Sequence, residues 1–176
     1  MRFRKRTNTI GNLAPLVLLC FHTYTPNAQA ATNERVMPEA VSKCLARREV
    51  NTYAAVNSAV NPYYLRGDLD GDSRLDYAVA VRARRTQKLG VAICLSTGEV
   101  ALLGAGYGVR FSDMPDDNFI SSDWMIVSGS ELVNRFRALG LPLPRLASGL
   151  EGILMPWEDG FGLIVRTNGL FKWYSR

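Results

Sequence analysis

The sequence predicts an α+β domain, mainly antiparallel sheet, with an N-terminal helix and one internal helix. Three observations carry this. Short stretches rich in Val, Ile, Leu and aromatic residues recur at near-regular spacing after Tyr63. Tight-turn pairs such as Thr97-Gly98 and Asn168-Gly169 separate them. Two segments, near Val41 and near Leu132, instead repeat their apolar residues at helical spacing.

Each element follows from its local pattern. Pro38 to Glu49 reads as a short amphipathic helix: Val41, Cys44, Leu45 and Arg48 fall at i, i+3, i+4 and i+7, and Pro38 suits a first turn. Asn51 to Asn61 carries no clear period and is left unassigned. Tyr63 to Asp68 reads as a strand, and Asp76 to Arg84 alternates through Tyr77, Val79 and Val81 as a half-buried one. Gly90 to Ser96 and Glu99 to Leu103 are two more, and Trp124 to Val127 is a short one. Ser128 to Gly140 is the internal helix. Ser128 and Glu131 make a capping-box pattern, Leu132, Val133, Phe136 and Leu139 form an apolar face, and Gly140 then Pro142 stop it. Gly152 to Trp157, Phe161 to Thr167 and Leu170 to Tyr174 complete one antiparallel sheet, with turns at Glu158-Asp159-Gly160 and Asn168-Gly169. On the last strand Phe171 and Trp173 share a face, and Tyr174 takes the other.

Ahead of this domain, residues 1–30 read as a secretory signal peptide. A basic start, Met1-Arg2-Phe3-Arg4-Lys5-Arg6, precedes a nine-residue apolar run from Leu13 to Phe21. Ala28-Gln29-Ala30 then places small residues before a cleavage point at Ala31. The run is too short to cross a bilayer core of about 30 Å. Cys20 is a poor acylation site, because Leu18 and Leu19 stand where a lipoprotein carries small residues. No later stretch approaches the roughly 18 apolar residues a spanning helix needs. The expected organisation is a signal peptide over 1–30 and one domain over 31–176, placed in the periplasm or secreted.

Charge points the same way. The formal net charge is +5, but 4 of the 21 basic residues lie in the first 30, where there is no acid. The remainder carries 17 basic against 16 acidic residues, which removes the argument for a nucleic-acid partner. The single histidine, His22, is also in the exported segment, so Ser-His-Asp and Cys-His triads and His-ligated zinc are excluded from the domain. Cys44 and Cys94 remain. In an oxidising compartment they suggest one disulfide, provided that the first helix packs on the strand of Cys94; otherwise they are two buried thiols.

The most specific chemistry lies in Gly67-Asp68-Leu69-Asp70-Gly71-Asp72-Ser73-Arg74-Leu75-Asp76, with aspartates at relative positions 1, 3, 5 and 9. Four carboxylates so close repel one another unless something cancels their charge, and a hard cation held by oxygens does so. Asp68, Asp70, Asp72 and Asp76 would supply side-chain oxygens and Arg74 its carbonyl; Ca²⁺, with six to eight loosely arranged ligands, fits better than Mg²⁺. An EF-hand needs a glutamate at position 12, where this chain has Val79 in a strand. The stretch Gly67, Asp68, Asp70, Asp72, Asp76, with Tyr77-Ala78-Val79 following, instead resembles the DxDxDGxxD calcium loops of FG-GAP and VCBS-type repeats. That resemblance implies a structural calcium site between two strands. It also implies glycine after the third aspartate, where this chain has Ser73.

Weaker signals are a basic cluster, Arg82, Arg84, Arg85 and Lys88, at a hairpin end, and an acidic loop holding Asp113, Asp116, Asp117 and Asp123. With no aromatic between Tyr77 and Tyr107, the basic cluster lacks the stacking platforms of a single-strand groove. The acidic loop offers the best carboxylate pair for glycoside hydrolysis. Absence of His, of a reactive thiol, of a nucleophile motif and of a phosphate loop favours binding over catalysis. The expected function is a calcium-binding, protein-binding module of the cell envelope, by analogy an inhibitor or immunity protein. The alternatives are a carboxylate-dependent cell-wall glycan hydrolase using the Asp113–Asp123 loop, or a structural envelope or adhesion module.

Overall fold

In the computed structural model, residues 37–106 and 123–175 are described; residues 1–36, the segment 107–122 that holds Asp113, Asp116 and Asp117, and Arg176 lie outside them. Mostly antiparallel sheet and three short helices make up the described chain, an architecture at the border of α+β and mainly β.

The N-terminal helix is two pieces, α1 (Glu39–Leu45) and α2 (Arg48–Asn51), where the apolar period suggests one. The Arg47 backbone is extended between them, so the period continues across a break in the helix. The unassigned stretch holds β1 (Ala54–Val56). Its short run takes its conformation from pairing with the far end of β3 (Asp76–Ala83), beyond the reach of a local pattern. β2 (Tyr64–Gly67) pairs with the near end of β3, and β4 (Leu89–Cys94) and β5 (Val100–Gly104) extend this first sheet. β6 (Met125–Ser128), β7 (Glu151–Trp157), β8 (Gly160–Thr167) and β9 (Leu170–Ser175) form a second, four-stranded sheet in that order.

The strands therefore divide between two sheets, where the spacing suggested one. The reason is visible in which residues are buried. Ala78, Ala80, Val91, Ile93 and Leu103 of the first sheet meet Trp124, Ile153, Met155, Ile164 and Trp173 in one shared core. The other face of the first sheet is covered by the N-terminal helices: Val41 and Cys44 pack on Val79 and Cys94. The other face of the second is covered by α3 (Gly129–Ala138), whose Leu132 and Phe136 pack on Leu154, Leu163 and Val165. Both faces of β3 are thus buried, and the half-buried reading is corrected. Small alanines face the sheet-to-sheet core while larger valines face the helices. Alternation of side-chain size had the same period as alternation of burial.

Turn chemistry behaves as its residues dictate. Thr167 pairs with Leu170 across Asn168-Gly169, whose φ values of 53° and 79° are those of a type I′ hairpin turn. α3 ends in a Schellman motif: Leu141 N–H donates to Phe136 O, Gly140 N–H to Arg137 O, and Gly140 has φ 68°. Its start differs from the capping-box reading. Ser128 is the N-cap but makes no side-chain cap bond, and Glu131 instead holds Arg135 at 2.7 Å, one turn on. Phe171 and Trp173 do face the sheet-to-sheet core, and Tyr174 takes the other face, edge-on to Phe136 at 4.9 Å.

Cys44 and Cys94 form a disulfide with Cα atoms 5.8 Å apart. The packing condition set by the sequence is met, since α1 lies on β4 at that point. Among the described residues no helix is long and apolar enough to cross a membrane.

Candidate metal site

The acidic stretch closes the β2–β3 hairpin. Gly67 is paired with Asp76, so residues 68–75 form the loop and Asp76 opens the next strand. Aspartate suits such a loop because its short carboxylate caps backbone N–H groups a few residues on. Asp68 accepts from Gly71 N–H at 2.7 Å and Ser73 N–H at 2.9 Å. Asp70 accepts from Asp72 N–H at 3.1 Å, and Asp72 from Arg74 N–H at 2.8 Å.

Asp76 is fully buried and accepts from Leu69 N–H at 2.9 Å and Ser96 N–H at 2.7 Å. Burial pushes its carboxyl above the usual range, against those two donors, and the charges of Asp70 and Asp72 push the same way. For Asp72 desolvation also acts upward, but the Arg74 N–H and guanidinium and the Ser96 hydroxyl outweigh it, and the carboxyl lies below the usual range.

Of the five residues assigned to a metal from the sequence, three come together. Asp68, Asp70 and Asp76 each offer a carboxylate oxygen, and the three oxygens lie within 4.8 Å of one another. Asp72 is not in this group; it is engaged by the Arg74 guanidinium at 2.9 Å and the Ser96 hydroxyl at 3.2 Å. Arg74 enters through its N–H and guanidinium.

Three partners of the loop were invisible in its own sequence. Glu151, at the start of β7, accepts Asp68 N–H at 2.7 Å while its own N–H donates to Asp68 O at 2.8 Å. A Cβ on Gly67 would come within 2.4 Å of that glutamate oxygen, so glycine makes room for the Glu151 carboxylate in this position. Ser96, two residues beyond the disulfide, serves both Asp76 and Asp72. Arg166 of β8 bridges Asp70 at 3.3 Å and Glu99 at 2.8 Å. Two arginines therefore offset part of the charge that the sequence reading left to a cation. Glu151→Ala is expected to lower stability by about 1–2 kcal/mol, because the half-buried Asp68 N–H loses its acceptor. Urea unfolding with an unchanged slope measures this.

Ser73 has φ 63°. The strain implied by its replacing glycine is thus present in the folded chain. Ser73→Gly is accordingly expected to raise folding stability by about 0.5–1 kcal/mol, the left-handed cost less glycine's entropy. The gain should appear in the melting temperature measured in chelator.

The other sequence candidates are dispersed. Arg84 binds Asn51 through its side-chain and backbone oxygens at 3.0 and 2.9 Å, and Arg82 reaches Asn57 at 3.5 Å, so part of the basic cluster is engaged in the fold. Arg85 is exposed beside them. Asp123 is exposed, and Asp113, Asp116 and Asp117 lie outside the described residues. Trp157 is half-exposed and stacks on buried Trp173 at 6.3 Å. No family model, curated protein or solved structure matches this chain.

Proposed function

We propose that this chain is a periplasmic α+β protein in which one calcium ion fixes the β2–β3 loop, and which acts without catalysis by binding another protein of the cell envelope. The metal reading is carried by the convergence of Asp68, Asp70 and Asp76 within 4.8 Å. A hard cation takes several oxygens at once, and three converging carboxylates suit it. The proposed ligands are Asp68, Asp70, Asp76, Asp72 once it exchanges Arg74 for the ion, and the Arg74 carbonyl. Calcium is favoured because it accepts irregular oxygen sets, which Mg²⁺ does not. The same spacing supports the FG-GAP-like reading of the loop.

Export is supported by the basic start, the short apolar run and Ala28-Gln29-Ala30. A disulfide between Cys44 and Cys94 suits an oxidising compartment. Binding without catalysis is supported by the residue inventory: beyond residue 30 there is no histidine, and both cysteines there are bonded to each other. Inhibition of, or immunity to, a wall-attacking protein is the form of binding we propose.

Thermal melting in calcium and in chelator tests the metal reading. A ligand that binds only the folded state at a hundredfold excess over Kd stabilises it by about 2.7 kcal/mol. Millimolar calcium is expected to raise the Tm by several degrees, and chelator to reverse the rise. Asp70→Ala should abolish the shift, and Asp117→Ala, in the other acidic segment, should leave it intact. A wild-type Tm indifferent to calcium, with no metal by elemental analysis, would overturn the reading. For the binding role, one stoichiometric envelope partner supports it; turnover of peptidoglycan would favour the hydrolase alternative.

A further inference from the structure

We propose that Arg166 sets the calcium affinity of the Asp68–Asp76 loop by competing with the ion for Asp70, with Glu99 as the seat it keeps when the ion binds. This rests on the calcium reading above.

Arg166 reaches the loop from the other sheet, 96 residues away in sequence. Its side chain is 17% exposed and that of Asp70 8%, so their charges are poorly screened by solvent. The contact is to Asp70 Oδ2 at 3.3 Å, and Asp70 is one of the three residues whose oxygens converge. A calcium ion takes oxygens at about 2.3–2.6 Å. Ion and guanidinium would therefore draw on one carboxylate while repelling each other. Asp68 and Asp76 have no arginine on them; their bonds are to backbone N–H groups, which leave lone pairs open. Arg166 competes only at Asp70, while Arg74 is the guanidinium that Asp72 must release.

Arg166 is also placed to give way. Its other terminal nitrogen holds Glu99 at 2.8 Å, the shorter of its two carboxylate contacts. Its Nε–H donates to Gly169 O at 3.2 Å, and its guanidinium carbon lies 5.5 Å from the Phe171 ring centre. Releasing Asp70 forfeits one ion pair and keeps the other three contacts. Without the ion, Arg166 spares Asp70 an uncompensated charge beside Asp68 and Asp76. With it, the same guanidinium is a cost to binding, so affinity is lower than the carboxylates alone would confer.

Calorimetric titration of calcium chloride into the full chain tests this. Arg166→Gln is expected to bind calcium about tenfold more tightly than wild type, because the competing charge is gone. Its Tm in chelator should fall, and millimolar calcium should restore it. Arg166→Lys should stay near the wild-type Kd. Arg145→Gln removes an exposed arginine lining the same hollow, and should change Kd by less than about twofold if contact rather than distant charge decides. Arg166→Gln binding no more tightly than wild type, or Arg145→Gln matching its gain, overturns the inference and leaves the calcium reading standing. Binding by the variant but not by wild type supports the inference in its strongest form. No binding by either removes the calcium reading, and this inference with it. Should Arg166→Gln fail to fold, Glu99→Gln makes the reverse test: Asp70 is then the one carboxylate of the pair that Arg166 keeps, and calcium binding should weaken about threefold. Unchanged or tighter binding there counts against the competition.

Discussion

Reduction of the Cys44–Cys94 bridge, or its replacement by Cys44→Ala/Cys94→Ala, is expected to destabilise the domain by about 4 kcal/mol, the loop-closure entropy of a cross-link spanning 50 residues. In a domain of this size that corresponds to a fall in Tm of roughly 15 °C. The loss arises mostly in the unfolded chain, which is released from its cross-link, so the urea slope should rise as well. The folded partners change little. α1 keeps Val41 against Val79, and Ser96 keeps its bond to Asp76 through strand register. Stability should therefore fall while the Asp68, Asp70 and Asp76 cluster keeps its place. Thiol labelling checks the premise: the unfolded, unreduced protein should not react at Cys44 or Cys94, and ready labelling would remove the bridge.

Phe136→Ala carries a comparable cost through a different route. Phe136 is fully buried and is the largest of the completely buried side chains among the described residues. It pins α3 to the outer face of the second sheet, among Leu132, Leu150, Leu154 and Leu163, with Tyr174 edge-on. Truncation removes its transfer energy and leaves a cavity, together about 3–5 kcal/mol. The urea midpoint should drop with little change in slope, in contrast to the bridge variant. Phe136→Leu should recover most of the loss. A drop below about 1 kcal/mol for the alanine variant would mean that α3 does not cover this sheet. The two sites stabilise opposite outer faces of the pair of sheets and share no neighbours, so their effects should add.

Much of the local structure was legible because it depends on neighbours in sequence. Asn168-Gly169 adopts positive φ because its side chains tolerate it, and Gly140 ends α3 for the same reason. The aspartates of residues 68–76 announced a loop that converges carboxylates, and the structure gathers Asp68, Asp70 and Asp76. Cys44 and Cys94 could be paired conditionally, since helical and strand periods placed each on a known element.

What the tertiary structure alone decided depends on which surfaces meet. The period of two in Tyr77-Ala78-Val79-Ala80-Val81 says that the faces of β3 differ, without saying that both are covered. Only docking of the second sheet onto Ala78 and Ala80, and of the helices onto Val79 and Val81, distinguishes a doubly buried strand from a half-exposed one. The same docking supplies the loop's companions. Glu151 and Arg166 lie 83 and 96 residues from the aspartates they contact, on strands whose own sequence gives no hint of an acidic neighbour. A charge pattern within ten residues can state that compensation is needed; which group provides it is settled by the packing of one sheet on the other.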